Sequence, residues 1–87
     1  MMPVEEIKVK VKLFAIYQEA YGASELIWTF PAGASVGSVR DRILTEHPEL
    51  ESWRDRTRIG LNLQFVNAEA PMEEGDEVVL IPPVSGG

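Results

Sequence analysis

From Ile7 to Phe14 the chain alternates with a period of two. Ile7, Val9, Val11 and Leu13 share one face, and Lys8, Lys10, Lys12 and Phe14 share the other. This pattern predicts a half-buried β-strand with an apolar inner face. Ala15 to Tyr21 reads as a short helical turn closed by Gly22. Ser24 to Phe30, rich in β-branched and aromatic residues, predicts a second strand that Pro31 stops. Ser35 is placed to cap a helix, and Val36, Val39, Ile43 and Leu44 follow at helical spacing up to Pro48. Gly37 weakens the first turn of that helix. Glu49 to Arg58 reads as a charged, irregular segment around Trp53. Ile59 to Val66 is strand-like with a turn near Asn62. Glu73-Glu74-Gly75-Asp76 is a turn signal, and Glu77 to Ile81 predicts a last strand ended by Pro82-Pro83.

Strand, strand, helix, strands is the order of an α+β domain with one main helix on one face of a mixed sheet of four to five strands. If the first and last strands pair side by side, the fold is a β-grasp, and the C-terminal segment leaves as a free Gly-Gly tail. The 87 residues suit one domain, taken as 1–81, followed by a tail at 82–87. A core of this size has no room for a large enclosed cofactor.

Composition removes several functions. There are no cysteines, so disulfides, thiolate metal sites and thiol nucleophiles are excluded. The net charge of −6 argues against nucleic-acid binding and suits docking on basic partners. No apolar stretch is long enough to span a membrane, and Met1 to Glu6 lacks the pattern of a signal peptide. A cytoplasmic location is expected.

Glu73, Glu74, Asp76 and Glu77 lack the spacing of a calcium loop and read as a solvated turn. No bound metal is expected. The lysine stripe on the first strand suits either an acidic partner or ordinary solvent-facing lysines. His47 lies at a helix end, where a positive group suits the dipole. Trp53 reads as a core or flanking residue among Arg54, Arg56 and Arg58.

The tail carries the chemistry. Pro82 and Pro83 hold the chain extended, and Gly86 and Gly87 have no side chain to obstruct a narrow channel. The six residues from Pro82 reach at most about 20 Å. Val78-Val79-Leu80-Ile81-Pro82-Pro83-Val84-Ser85-Gly86-Gly87 resembles the end of molybdopterin synthase small subunits. Gly75-Asp76-Glu77-Val78, Lys12-Leu13-Phe14-Ala15 and Asn62 resemble other parts of that family of ubiquitin-like sulfur carriers. Leu80-Ile81 and Asn62-Leu63 depart from its pattern, and both departures concern packing and partner fit.

The resemblance implies a mechanism. An adenylyltransferase of the ubiquitin-activating type adenylates the Gly87 carboxylate with ATP, and sulfur then gives a thiocarboxylate. The large synthase subunit receives the tail (Pro82, Pro83, Val84, Ser85, Gly86 and Gly87), and sulfur passes to a cyclic pyranopterin phosphate. No Gly-rich loop ending in Lys-Ser or Lys-Thr is present, so ATP is expected on the partner rather than on this chain. Strand parity puts Phe14 and Ile81 on the outer face, with Phe65 as a third candidate, and exposed apolar clusters mark interfaces. A sulfur carrier for thiazole or another thiolated product, and a protein modifier joined to lysine through Gly87, are the alternative readings.

Overall fold

Strand β1 (Glu6–Leu13) realises the period-two pattern, with Ile7, Val9, Val11 and Leu13 buried. A computed structural model describes residues 5–83 of the chain. After β1 come α1 (Ile16–Tyr21), β2 (Glu25–Pro31), α2 (Gly37–Glu46), a 3-10 helix (Pro48–Arg56), β3 (Arg58–Leu61), β4 (Gln64–Val66) and β5 (Glu77–Ile81).

The five strands form one mixed sheet in the order β2-β1-β5-β3-β4. The first and last strands lie side by side in parallel, with Val11 opposite Val78 and Leu13 opposite Leu80. The other pairings are antiparallel. The inner faces of β1 and β5 thus join, and α2 adds Val39, Ile43 and Leu44 to the core. Fully burying one such aliphatic side chain is worth about 1.5–3 kcal/mol, so this seam holds the domain together.

Four expectations change in detail. Ser35 does not cap α2: the cap position falls on Val36, with no side-chain cap hydrogen bond. Ser35 instead forms an isolated bridge with Pro71, while the amides of Val36 and Gly37 donate to the carbonyls of Ala70 and Ala68. The Ala68–Ala70 segment therefore satisfies the orphan amides that a serine side chain would otherwise take. Gly37 explains itself here, because a Cβ would sit 3.0 Å from the Ala68 carbonyl oxygen.

The charged stretch after Pro48 is a 3-10 helix rather than an irregular loop. Its Leu50 is buried, and Arg54 ties it to α2 through Asp41 at 2.8 Å. The lysine stripe lies on a central strand, since β1 is flanked by β2 and β5, so these lysines face solvent without guarding an edge. Pro31 ends β2 from within it, still opposite Glu6.

Candidate functional site

Pro82 and Pro83 follow β5 directly, and the site is what surrounds that exit. Val84, Ser85, Gly86 and Gly87 lie outside the described residues. The outer face of the sheet is built by register. Lys12 stands opposite Val79, Gly60 opposite both Val79 and Phe65, and Arg58 opposite Ile81. Phe65 is thereby fixed on the outer face, where it is 63% exposed.

Lys12, Phe14, Gly60, Leu63, Phe65, Glu77, Val79 and Ile81 line a shallow cup of about 310 Å³. Gly60 forms part of its floor, since a Cβ there would meet only ordinary contacts at 3.7 Å. Lys12 and Glu77 pair at 3.5 Å and give the apolar cup a polar margin. Phe14 and Ile81 also line a second groove, which runs to Trp53, Pro82 and Pro83. The three apolar residues expected at an interface therefore converge beside the start of the tail.

Two backbone strains shape the rim. Ala15 has φ 51° and ψ −122°, and the Tyr17 amide donates to the Phe14 carbonyl. These are the features of a type II′ turn with alanine where glycine is preferred. The turn follows Phe14 immediately, one residue past the end of β1 at Leu13.

Asn62 and Leu63, at φ 50° and 73°, form the β3–β4 hairpin turn. Asn62 Nδ2 donates to Asp76, and its Oδ1 accepts from the Glu77 amide, so one side chain joins the hairpin to the start of β5. Leu63 was not among the expected interface residues, yet it lines the cup and is 91% exposed. The sequence signal was an Asn-Leu pair where a turn of positive φ prefers Asn-Gly.

Behind the site, Tyr17 is buried and hydrogen-bonds Thr57, whose hydroxyl donates to the Trp53 carbonyl. The tyrosine hydroxyl is therefore the donor. Burial holds its pKa above the ordinary phenol value. This link fixes α1 against the end of the 3-10 helix, so Phe14 and Trp53 keep their spacing. His47 caps α2, packs edge-on against Tyr21 at 4.6 Å and meets Glu49, away from the exit. Trp53 is partly buried against the core, with the Arg56 guanidinium over its ring.

First and last strands paired in parallel at the centre of a mixed sheet, with a helix across one face, define a ubiquitin-like β-grasp domain. SAMP1 from Haloferax volcanii, a small archaeal modifier protein, has this fold: TM-score 0.76 at 31% identity, over 92% of this chain and 99% of that one. More particularly, the chain belongs to the ThiS family, whose profile matches residues 11–87. A molybdopterin synthase sulfur carrier subunit of Arabidopsis thaliana is 32% identical over 81 residues, which is 93% of this chain and 84% of that protein. Subunit 1 of the molybdopterin-converting factor of Helicobacter pylori was solved in complex with its subunit 2. It matches at TM-score 0.59 and 29% identity, over 93% of this chain and all of that one. Among the described residues, no helix is long and apolar enough to cross a membrane.

Proposed function

We propose that the chain is the sulfur carrier of a molybdopterin synthase, and that it works through the carboxyl of Gly87. One observation supports this most. The family match runs to Gly87, and the structure feeds Pro82 and Pro83 off the sheet beside an exposed apolar cup. A domain that offered chemistry of its own would need convergent catalytic groups. Here the outer face offers apolar contact and a direction for the tail.

The chemistry follows from the carboxylate. It resists attack at carbon until an oxygen bonds the α-phosphorus of ATP and pyrophosphate leaves. Hydrosulfide can then displace AMP outright, or a persulfide can displace it and a thiol then reduce the acyl disulfide so formed; either way Gly87 bears a thiocarboxylate. ATP sits on the activating adenylyltransferase. Phe14, Leu63, Phe65 and Ile81 dock the large subunit, Pro82 and Pro83 stiffen the approach, and Val84, Ser85, Gly86 and Gly87 enter its active site. The thiocarboxylate sulfur then bonds carbon of the cyclic pyranopterin phosphate, and water cleaves the acyl–sulfur bond, which leaves the sulfur on the pterin and returns Gly87 as a carboxylate. The domain serves as handle and address, and catalytic groups for the transfer belong to the large subunit.

Reconstitution tests this reading. The thiocarboxylated chain, the large subunit of the same organism and the pyranopterin precursor should together form molybdopterin. Ile81→Asp should weaken the complex about tenfold or more, as loss of a central apolar anchor does, with its melting temperature kept. No product from the wild-type chain would sink the reading.

The likeness to an archaeal modifier protein favours a second reading, in which Gly87 is joined to lysines of other proteins. A ladder of conjugates on a denaturing blot, absent without Gly87, would support it. A single unconjugated band would leave sulfur transfer alone.

A further inference from the structure

The ion pairs of the described residues are unevenly placed. Lys10 pairs with Glu25, Lys12 with Glu77, Arg42 with Glu46, and Arg54 with both Asp41 and Glu51. Lys8 on β1 and three arginines, Arg40, Arg56 and Arg58, form no ion pair among the described residues. The three arginines line two adjoining grooves, one of them at the tail exit. One groove, of about 350 Å³, has Arg40, Thr57 and Arg58 on its walls. The other is lined by Arg56, Arg58, Phe65, Ile81, Pro82 and Pro83. The two meet at Arg58 and Phe65, and neither is lined by an aspartate or glutamate.

This placement runs against the overall charge. The chain carries −6, with 14 acidic residues against 8 lysines and arginines, and an acidic protein would be expected to dock on basic surfaces. Among the described residues, the arginines without an ion pair are nevertheless Arg56 and Arg58 at the tail exit and Arg40 in the adjoining groove. Two of them are held by aromatic rings: Arg56 lies 4.8 Å from the Trp53 ring centroid, and Arg58 lies 5.4 Å from that of Phe65. Arg56 Nη2 also donates a long hydrogen bond to the Ser52 carbonyl at 3.4 Å, and the ring stacking leaves the remaining N–H groups pre-oriented, the geometry that suits a planar carboxylate. Arg40 is half-buried on the wall of its groove, and among the described residues its Nε has no hydrogen-bond partner. A carboxylate entering that groove meets the accessible part of the same cation, where a charge-assisted hydrogen bond is stronger than a neutral one.

We propose that this arginine face binds an acidic segment of the partner protein, carboxylates meeting Arg56 and Arg58 and one reaching the groove of Arg40. A polypeptide fits better than a small anion, because the arginines are interleaved with Phe65, Ile81 and the two prolines. The face is continuous with the apolar cup through Phe65 and Ile81. One docking partner can therefore cover both, with the cup supplying area and the arginines fixing orientation. General repulsion from the acidic domain then disfavours every acidic surface that does not match this patch. The identity of the partner, though not the acidity of its matching surface, rests on the sulfur-carrier reading.

The test is calorimetry of the full chain with the large subunit of molybdopterin synthase from the same organism, over a series of salt concentrations. The Arg56→Glu/Arg58→Glu variant should bind about tenfold more weakly at low salt, and the difference should shrink as salt screens the contacts. Lys8→Glu, a charge reversal away from the exit with half that change in net charge, should stay within about twofold. Arg58→Gln, which keeps size and polarity, tests the same point if the charge reversal does not fold. Equal affinity and equal salt dependence for the arginine variants would overturn the proposal. Titration of inorganic phosphate into the free chain makes the second arm. Tight binding that is lost in Arg40→Gln would make the groove a small-anion site and overturn the proposal as well. No complex with the wild-type chain would remove the sulfur-carrier reading, and this assignment of its partner with it.

Discussion

Gly60 and Phe65 face each other across the β3–β4 ladder, and the missing side chain at Gly60 leaves the floor of the cup open beside the phenyl ring. A Cβ at Gly60 would touch Gln64 and Val79 at no less than 3.7 Å, so the fold has room for one. Gly60→Val should therefore melt at the same temperature or higher, because valine suits a strand better than glycine. Its branches would fill the floor and hold a partner side chain away. Binding of the large subunit should fall about tenfold. Unchanged binding by calorimetry would show that nothing enters the cup.

Leu63 trades stability for contact. It is almost fully exposed at φ 73°, a backbone region that costs a residue with a Cβ about 1–3 kcal/mol. Leu63→Gly should raise the unfolding free energy by about 1 kcal/mol, once the greater freedom of glycine in the unfolded chain is subtracted. The same change should weaken the complex several-fold. A more stable protein with intact affinity would remove Leu63 from the interface.

Ala15 carries a similar strain without the exposure of a long side chain. Ala15→Gly relaxes the turn after Phe14 and should stabilise the domain by about 1 kcal/mol in denaturant unfolding. If stability falls instead, the turn is not strained in the way its dihedrals imply.

Tyr21 and Glu46 give the fold a small pH dependence. The Tyr21 hydroxyl donates to Glu46 at 2.6 Å. That hydrogen bond, with help from Arg42, lowers the Glu46 pKa. Burial first, and then Glu46, raise that of Tyr21. A lowered carboxyl pKa contributes stability above the unfolded value of about 4.3, lost as pH falls below it. A raised phenol pKa contributes below about 10 and is lost at higher pH. The window therefore runs from about pH 5 to pH 9. Glu46 is substantially exposed, so the effect should stay below about 1 kcal/mol after screening. Melting curves of wild type and Tyr21→Phe should differ most at pH 7 and converge toward pH 3. A constant gap would assign the loss to packing.

The parts of the fold that are local in sequence were the legible ones. The alternation of Ile7 to Leu13 implied the buried face, Asn62 the hairpin, and Gly75-Asp76 the turn before β5. Parity alone put Phe14 and Ile81 on the outer face. What escaped depended on contacts between distant residues. Ser35 looked like a cap because nothing nearby in sequence reveals that the Ala68–Ala70 strap takes its place. The 3-10 helix was hidden by its charged surface, since only Leu50 and Trp53 face the core. The arginine face could not be read from Arg54, Arg56 and Arg58, because Asp55 and Glu51 lie close to them in sequence, whereas in the structure only Arg54 of the three is paired, with Asp41 and Glu51. Arg40 joins them only in three dimensions.

The central claim is that the Gly87 carboxyl does the chemistry, and its most direct test is molybdopterin formation by a chain extended one residue beyond Gly87, with purified partners. The extension moves the carboxyl outward by about 3.3–3.6 Å, and misplacement by even 1 Å can cost about a hundredfold in rate. Sulfur transfer should be abolished, with the melting temperature unchanged, while the unextended chain shows in mass spectra the exchange of one oxygen for sulfur. Full activity with the extension still attached would contradict the claim.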